Sequence, residues 1–391
     1  MTSGGTQPDE ARPPEASADS ADPADPADPA GNPARALTSG VGPADAADPA
    51  ALDPYRSEQG PAAGDDLVPA PDRQRLPPGV AIFSLEGRAA PGLYALGWAG
   101  TIGGLALLVV AIAGGPGGAA GLVVVLAAAV LLSVGLFTAA GAQGLQRQAD
   151  AELPYLGPSP FLVFVATLPF TLILIALILG PAQAAGLEPG SPLATLIQLI
   201  ITAVVNIALV RLLVVSPGAL SWSDMGLRSQ PVRKLLGDVG AGALLAVPVI
   251  FVTALFAGIL VGLLGTQPAS PLPVPVTTAD VVINLIAAAI VAPIGEEVLY
   301  RGLATTAWAR GMGARRGLVR GALFFAFVHI LTISGTSFGD AAAQAFIAFA
   351  IRLPVAFALG WVFINRRSLP ASIGLHATFN GLLLLLSQLP R

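Results

Sequence analysis

The sequence predicts an all-α fold: a polytopic membrane bundle of eight or nine transmembrane helices behind a disordered N-terminal tail. Three observations predict it. Of 391 residues, 54% are hydrophobic and only 11% are charged, where soluble domains carry about 25%. The charge is unevenly spread. Residues 1–90 hold 15 of the 24 acidic and 6 of the 20 basic side chains, a net of −9, which leaves +5 for the remaining three hundred residues. From Gly92 onward, apolar runs recur at lengths that can cross about 30 Å of hydrocarbon. A soluble globular enzyme is excluded. Cysteine is absent, so disulfides, Cys-ligated metals, thiol catalysis and a lipidated N-terminal cysteine are excluded too.

Residues 1–78 are dominated by Ala, Pro, Asp and Gly, with the repeat Asp22-Pro23-Ala24 running through Asp28-Pro29-Ala30. Proline removes backbone donors and no apolar run offsets the entropy of ordering, so this tail is expected to be disordered. It has no charged segment followed by an apolar core and does not read as a cleavable signal peptide. The expected spans are 92–115, 118–142, 160–180, 193–215, 239–264, 281–308, 317–334, 341–364 and 369–388. Cations mark every second loop: Arg147; Arg228, Arg233 and Lys234; Arg310, Arg315 and Arg316; Arg366 and Arg367. The loops near 116, 181–192, 265–280 and 335–340 contain no Lys or Arg. By the positive-inside rule this alternation places the N-terminus in the cytoplasm with nine spans; Arg391 is the exception that keeps eight open.

Ionisable groups at membrane depth are costly and therefore suggest function. Arg211 is near a span end and can snorkel. Asp238, Asp280 and Asp340 each precede an apolar run and read as helix caps. What survives is Glu296, Glu297 and Arg301 in the sixth span, His329 in the seventh, Arg352 in the eighth, and His376 and Asn380 in the ninth. At 1.5 Å per residue, Glu297, His329, His376 and Asn380 sit roughly 16, 18, 10 and 16 Å from the cytoplasmic edge, near one level.

Spacing assigns roles. Glu297 and Arg301 are i,i+4 neighbours with the acid first, the favourable order for a pair. Glu296 points about 100° away and has no local cation, so it is the free carboxylate and the candidate base. Pro293 and Gly295 precede the pair, where a missing helical hydrogen bond can open the backbone to water. His376 and Asn380 are i,i+4, so two neutral donors can aim at one point, as a developing oxyanion requires. The set suits amide hydrolysis by an activated water. No His-Glu-x-x-His helix is present.

At these residues the sequence resembles the CPBP family, the CAAX proteases and bacteriocin-processing enzymes also called the Abi family. Its pattern reads here as Glu296-Glu297-Val298-Leu299-Tyr300-Arg301, Phe325-Ala326-Phe327-Val328-His329 and His376-Ala377-Thr378-Phe379-Asn380, in order on three spans. The resemblance covers roughly residues 220–388, with the helices of 79–219 and the tail showing nothing diagnostic. It implies a glutamate-dependent intramembrane endopeptidase in which Glu296 and His329 activate water and His376 and Asn380 hold the tetrahedral intermediate. Glu297 and Arg301 support them. The substrate would be a membrane-associated protein or peptide; no nucleic acid is expected, and the compositional bias suggests a bacterial plasma membrane. No cofactor is required on this reading. Glu296, His329 and His376 could alternatively ligate zinc, but Asn380 and the paired Glu297 suit hydrogen-bond catalysis without an ion. Arg352 lies outside the motifs and is left to pair with Glu297 or Asp340, or to bind a substrate carboxylate. The alternative functions are a non-proteolytic immunity or scaffold protein of the same fold, and an ion or proton transporter.

Overall fold

In hydrocarbon a backbone amide has no water to bond, so each apolar run closes its own hydrogen bonds as a helix. The computed structural model describes residues 84–114, 117–149, 153–265, 272–331 and 333–388; the expected tail, 1–78, lies outside them. The described residues form nine helices and no strand. They are α1 (Pro91–Gly114), α2 (Gly118–Gln148), α3 (Pro160–Ala184), α4 (Pro192–Val215), α5 (Val232–Leu264), α6 (Thr278–Met312), α7 (Ala314–Val328), α8 (Phe338–Arg366) and α9 (Leu369–Ser387).

Eight of the nine are long and apolar enough to cross a membrane. The exception is α7, expected over 317–334. It has 15 residues, about 22 Å of helix, and stops at Val328 with His329 as its cap. The polar stretch after it serves the next helix instead. Ser337 caps α8 by accepting from the Asp340 amide (3.2 Å), and the Asp340 carboxylate takes the amide and hydroxyl of Thr336. Thr277 and Asp280 start α6 with a reciprocal capping box. The caps are thus Thr277 and Ser337, and Asp280 and Asp340, expected to cap, stand instead at the third helical position.

Asp238 is not a cap either. Helix α5 begins seven residues earlier than the hydrophobic pattern suggested, because Arg233 and Lys234 extend it beyond the apolar run. Asp238 is therefore buried inside the helix, where it accepts from Ser368 (2.9 Å) and pairs with Arg366 (3.1 Å). This clip ties α5 to the α8–α9 corner. Further contacts gather at the same end: Arg147 Nη1 donates to the Gly157 carbonyl (2.8 Å), Gln148 to that of Pro217 (3.0 Å), the Leu369 amide to that of Gly226 (3.1 Å), and Arg310 pairs with Asp224 (2.7 Å). The four cation-bearing segments therefore share one end of the bundle, the arrangement that alternating loop charge requires.

Central to the bundle is α6, which packs on α3, α4, α7, α8 and α9, while α5 lies against α8 and α9. Two glycines set these approaches. A Cβ at Gly295 would meet the Ala203 backbone of α4 at 2.5 Å, and one at Gly242 of α5 would overlap the Ala371 carbonyl of α9. Small residues at such crossings let helices in lipid gain van der Waals contact.

Gly242→Leu is expected to push α5 off α9 and lower stability by about 1–3 kcal/mol or more, the range for overpacking; the unfolding midpoint of detergent-purified protein measures it. In the loop before α5, burial opposes ionisation of Asp224. Hydrogen bonds from Ser221 and the Arg310 charge outweigh it and hold the carboxyl below its usual range. A depressed folded pKa stabilises above the unfolded value of about 3.9. Docking of residues 221–227 should thus persist at neutral pH and loosen as pH falls through the folded value, read by amide exchange.

Candidate active site

The site is built on the middle of α6, where the helix changes its winding. Residues Ile286–Val291 and Val298–Thr305 adopt wide i→i−5 turns, and Ala292–Glu297 between them is ordinary α-helix. Such wide turns recur at functional sites. The opening expected at Pro293 therefore takes the form of altered winding in a continuous helix.

Glu297 and Arg301 form the predicted i,i+4 pair at 2.9 Å, both fully enclosed at 0% and 1% side-chain exposure. An enclosed carboxylate needs its lone pairs filled. Glu297 Oε1 accepts from Arg301 Nη1 and from His376 Nδ1 (2.8 Å), and Oε2 accepts from the Ser372 hydroxyl (2.5 Å). Arg301 also donates to the Ala356 carbonyl of α8 (3.4 Å) and lies 4.2 Å above the Phe325 ring. That ring then touches His329 (centroids 4.5 Å) and His376 (5.7 Å), so Phe325 packs both imidazoles. The three motifs from α6, α7 and α9 meet in one cluster.

The two histidines are oriented alike. His329 Nδ1 lies 2.7 Å from the Phe325 carbonyl, which can only accept, so Nδ1 carries the proton. His376 Nδ1 likewise donates to the Glu297 carboxylate. Both Nε2 atoms then face Glu296 Oε2, at 3.8 Å from His329 and 3.9 Å from His376. Those distances exceed a hydrogen bond, and this buried Oε2 has no hydrogen-bond partner among the described residues. Adjacent carboxylates on one helix thus have opposite surroundings: Glu297 saturated, Glu296 open.

Asn380, expected to join His376 in aiming at one point, places one amide hydrogen on the Ala288 carbonyl of α6 (2.9 Å), and His376 spends Nδ1 on Glu297, which leaves the second amide hydrogen and Nε2. Arg352 pairs with neither Glu297, which Arg301 holds, nor Asp340, which takes Thr336. Its Nη1 donates to the Ala348 carbonyl one turn back (2.7 Å).

Sequence reasoning missed Ser372. It stands four residues before His376 and eight before Asn380 on α9, the same helical face, and that periodicity was the available signal.

As for a metal, tetrahedral zinc with bonds of 2.0–2.1 Å sets its ligand atoms about 3.4 Å apart. Glu296 Oε2 stands 3.8 and 3.9 Å from the two Nε2 atoms, a few tenths of an ångström beyond that spacing, and among the described residues no three of His, Asp or Glu are grouped to hold an ion.

Fold and site together define an integral membrane protein with an ionisable cluster enclosed by its own helices. Residues 278–382 match the family model described as type II CAAX prenyl endopeptidase Rce1-like. The matched stretch reaches from the start of α6 into α9 and is consistent with a CPBP family protease. No curated protein and no solved structure matches the chain.

Glu297→Leu leaves Arg301 enclosed without a counter-charge and is expected to cost about 3–5 kcal/mol. Ser372→Ala, which removes one of three donors, should cost about 1–3 kcal/mol. Denaturant unfolding of the purified protein measures both.

Proposed function

We propose that this protein is a glutamate-dependent intramembrane endopeptidase that hydrolyses a peptide bond of a membrane-associated protein or peptide without a bound metal. The observation carrying the proposal is the convergence of Glu296 Oε2 with the Nε2 atoms of His329 and His376, each imidazole having its other nitrogen tied back.

Bases 3.8 Å apart can share one water at about 2.8 Å from each. Such a water donates one hydrogen to Glu296 and the other to the lone pair of His329 Nε2, which raises electron density on its oxygen. It attacks the scissile carbonyl and its proton passes to Glu296. The carbonyl oxygen becomes an oxyanion. His376, carrying a second proton on Nε2 and stabilised as an imidazolium by Glu297, is one donor to it; the remaining amide hydrogen of Asn380 is the other. Collapse breaks the C–N bond, and the leaving nitrogen takes the proton held by Glu296. Glu297 and Arg301 hold His376 in place throughout. Arg352 is the candidate to meet an anionic group of the substrate. The shared basic end of the bundle supports a cytoplasmic N-terminus, with the substrate reached from that side.

The test is Glu296→Gln. Because Glu296 Oε2 has no partner among the described residues, the variant should insert and unfold like the wild type. It should nevertheless lose roughly 10²–10⁴-fold in cleavage, the contribution of a general base, as read by comparative proteomics of membranes carrying each form. Wild-type cleavage by the variant would overturn the mechanism. A chelator should leave wild-type activity unchanged, and loss of activity restored by zinc would overturn the metal-free reading.

A further inference from the structure

The bond between Asn380 and the Ala288 carbonyl has a cause in the winding of α6. Along Ile286–Val291 the helix bonds back five residues, and the Ala292 amide donates to the Ala287 carbonyl. The next donor in that pattern, five residues beyond Ala288, is residue 293. It is Pro293, which has no N–H. The Ala288 carbonyl is thereby deprived of its backbone partner at a buried position in the membrane, where an unmet polar group is most costly. Asn380 Nδ2 reaches it from α9 at 2.9 Å.

We infer that Asn380 is also a positioning residue: its amide replaces the backbone donor that Pro293 lacks and latches α9 to α6 at Ala288, eight residues before Glu296. The inference rests on the proposed hydrolytic reading for its catalytic meaning, while the latch itself is a contact between helices. Its geometric consequences are specific. An amide nitrogen has two hydrogens in one plane. Fixing one on the Ala288 carbonyl fixes the direction of the other, so Pro293 indirectly sets where Asn380 can donate. The latch also joins the same pair of helices as the Glu297–His376 and Glu297–Ser372 bonds. Glu296 therefore sits between two α6–α9 ties, one at Ala288 and the other at Glu297.

A double-mutant cycle on the full-length, detergent-purified protein tests this. Pro293→Ala restores an N–H that competes for the Ala288 carbonyl, and Asn380→Leu removes the latch while keeping volume. Hydrogen exchange is followed through residues 286–298, and kcat and KM are measured on whichever substrate the proteomics identifies. In the native background Asn380→Leu should speed exchange there by roughly tenfold, and in the Pro293→Ala background by less than about twofold. Pro293→Ala should also return part of the kcat lost by Asn380→Leu, with KM little changed. Equal effects of Asn380→Leu in both backgrounds, in exchange and in kcat, would overturn the latch and leave Asn380 solely an oxyanion donor. Folding of Asn380→Leu only when Pro293→Ala is present supports it. Should Asn380→Leu fold in neither background, Asn380→Ser, too short to reach the carbonyl, takes its place with the same two outcomes. The exchange arm needs no turnover, so failure of the latch is distinct from failure of the hydrolytic reading, which Glu296→Gln decides.

Discussion

The arrangement turns on the Glu297 carboxylate. Fully enclosed among helices, it can stay charged only if donors surround it, and they come from different parts of the chain: Arg301 on its own helix, Ser372 and His376 on α9. Each of those residues is fixed in turn. Arg301 is drawn onto the Phe325 ring and toward the Ala356 carbonyl; His376 turns its Nε2 toward Glu296. Without a charge at Glu297, the register of α6 against α9 would lose its central tie and rest on the Asn380–Ala288 bond and on side-chain packing.

Beside that saturated carboxylate stands an unsatisfied one. The 100° step between consecutive helical residues is enough to take Glu296 out of the donors' reach. Its Oε2 instead faces the Nε2 atoms of two rings whose hydrogens are held on Nδ1 and point elsewhere. An orphaned buried oxygen is a standing cost, and reactive groups are held this way where the surrounding structure over-determines them. On the proposed hydrolytic reading, stability and chemistry are divided between neighbours in the sequence: Glu297 carries the first and Glu296 the second.

Much of this was legible from residue order. The apolar runs and the alternation of Arg and Lys located all nine helices, and the i,i+4 rule paired Glu297 with Arg301. The missed details arise where a local rule met a longer-range partner. Asp238 stood before an apolar run and read as a cap, yet Arg366 and Ser368 lie far along the chain and no spacing announces them. The length of α7 was overestimated because apolar residues continue past Val328, while Thr336 and Ser337 are committed to starting α8. The spacing of Asn380 from His376 says nothing of the wide turns of α6, which leave a carbonyl facing it. Hydropathy reports the solvent of a segment. It does not report which carbonyl a proline exposes.

The order of α6 and α9 along the chain bears on biogenesis. Helices enter a membrane in order of synthesis, so α6 arrives carrying Glu296, Glu297 and Arg301 before Ser372, His376 and Asn380 have been made. Until α9 follows, Glu297 has only Arg301 of its three donors, and α5 lacks the corner that clips Asp238. The cluster is therefore incomplete until α9 inserts, and the arrival of that helix is the step that satisfies the enclosed carboxylate.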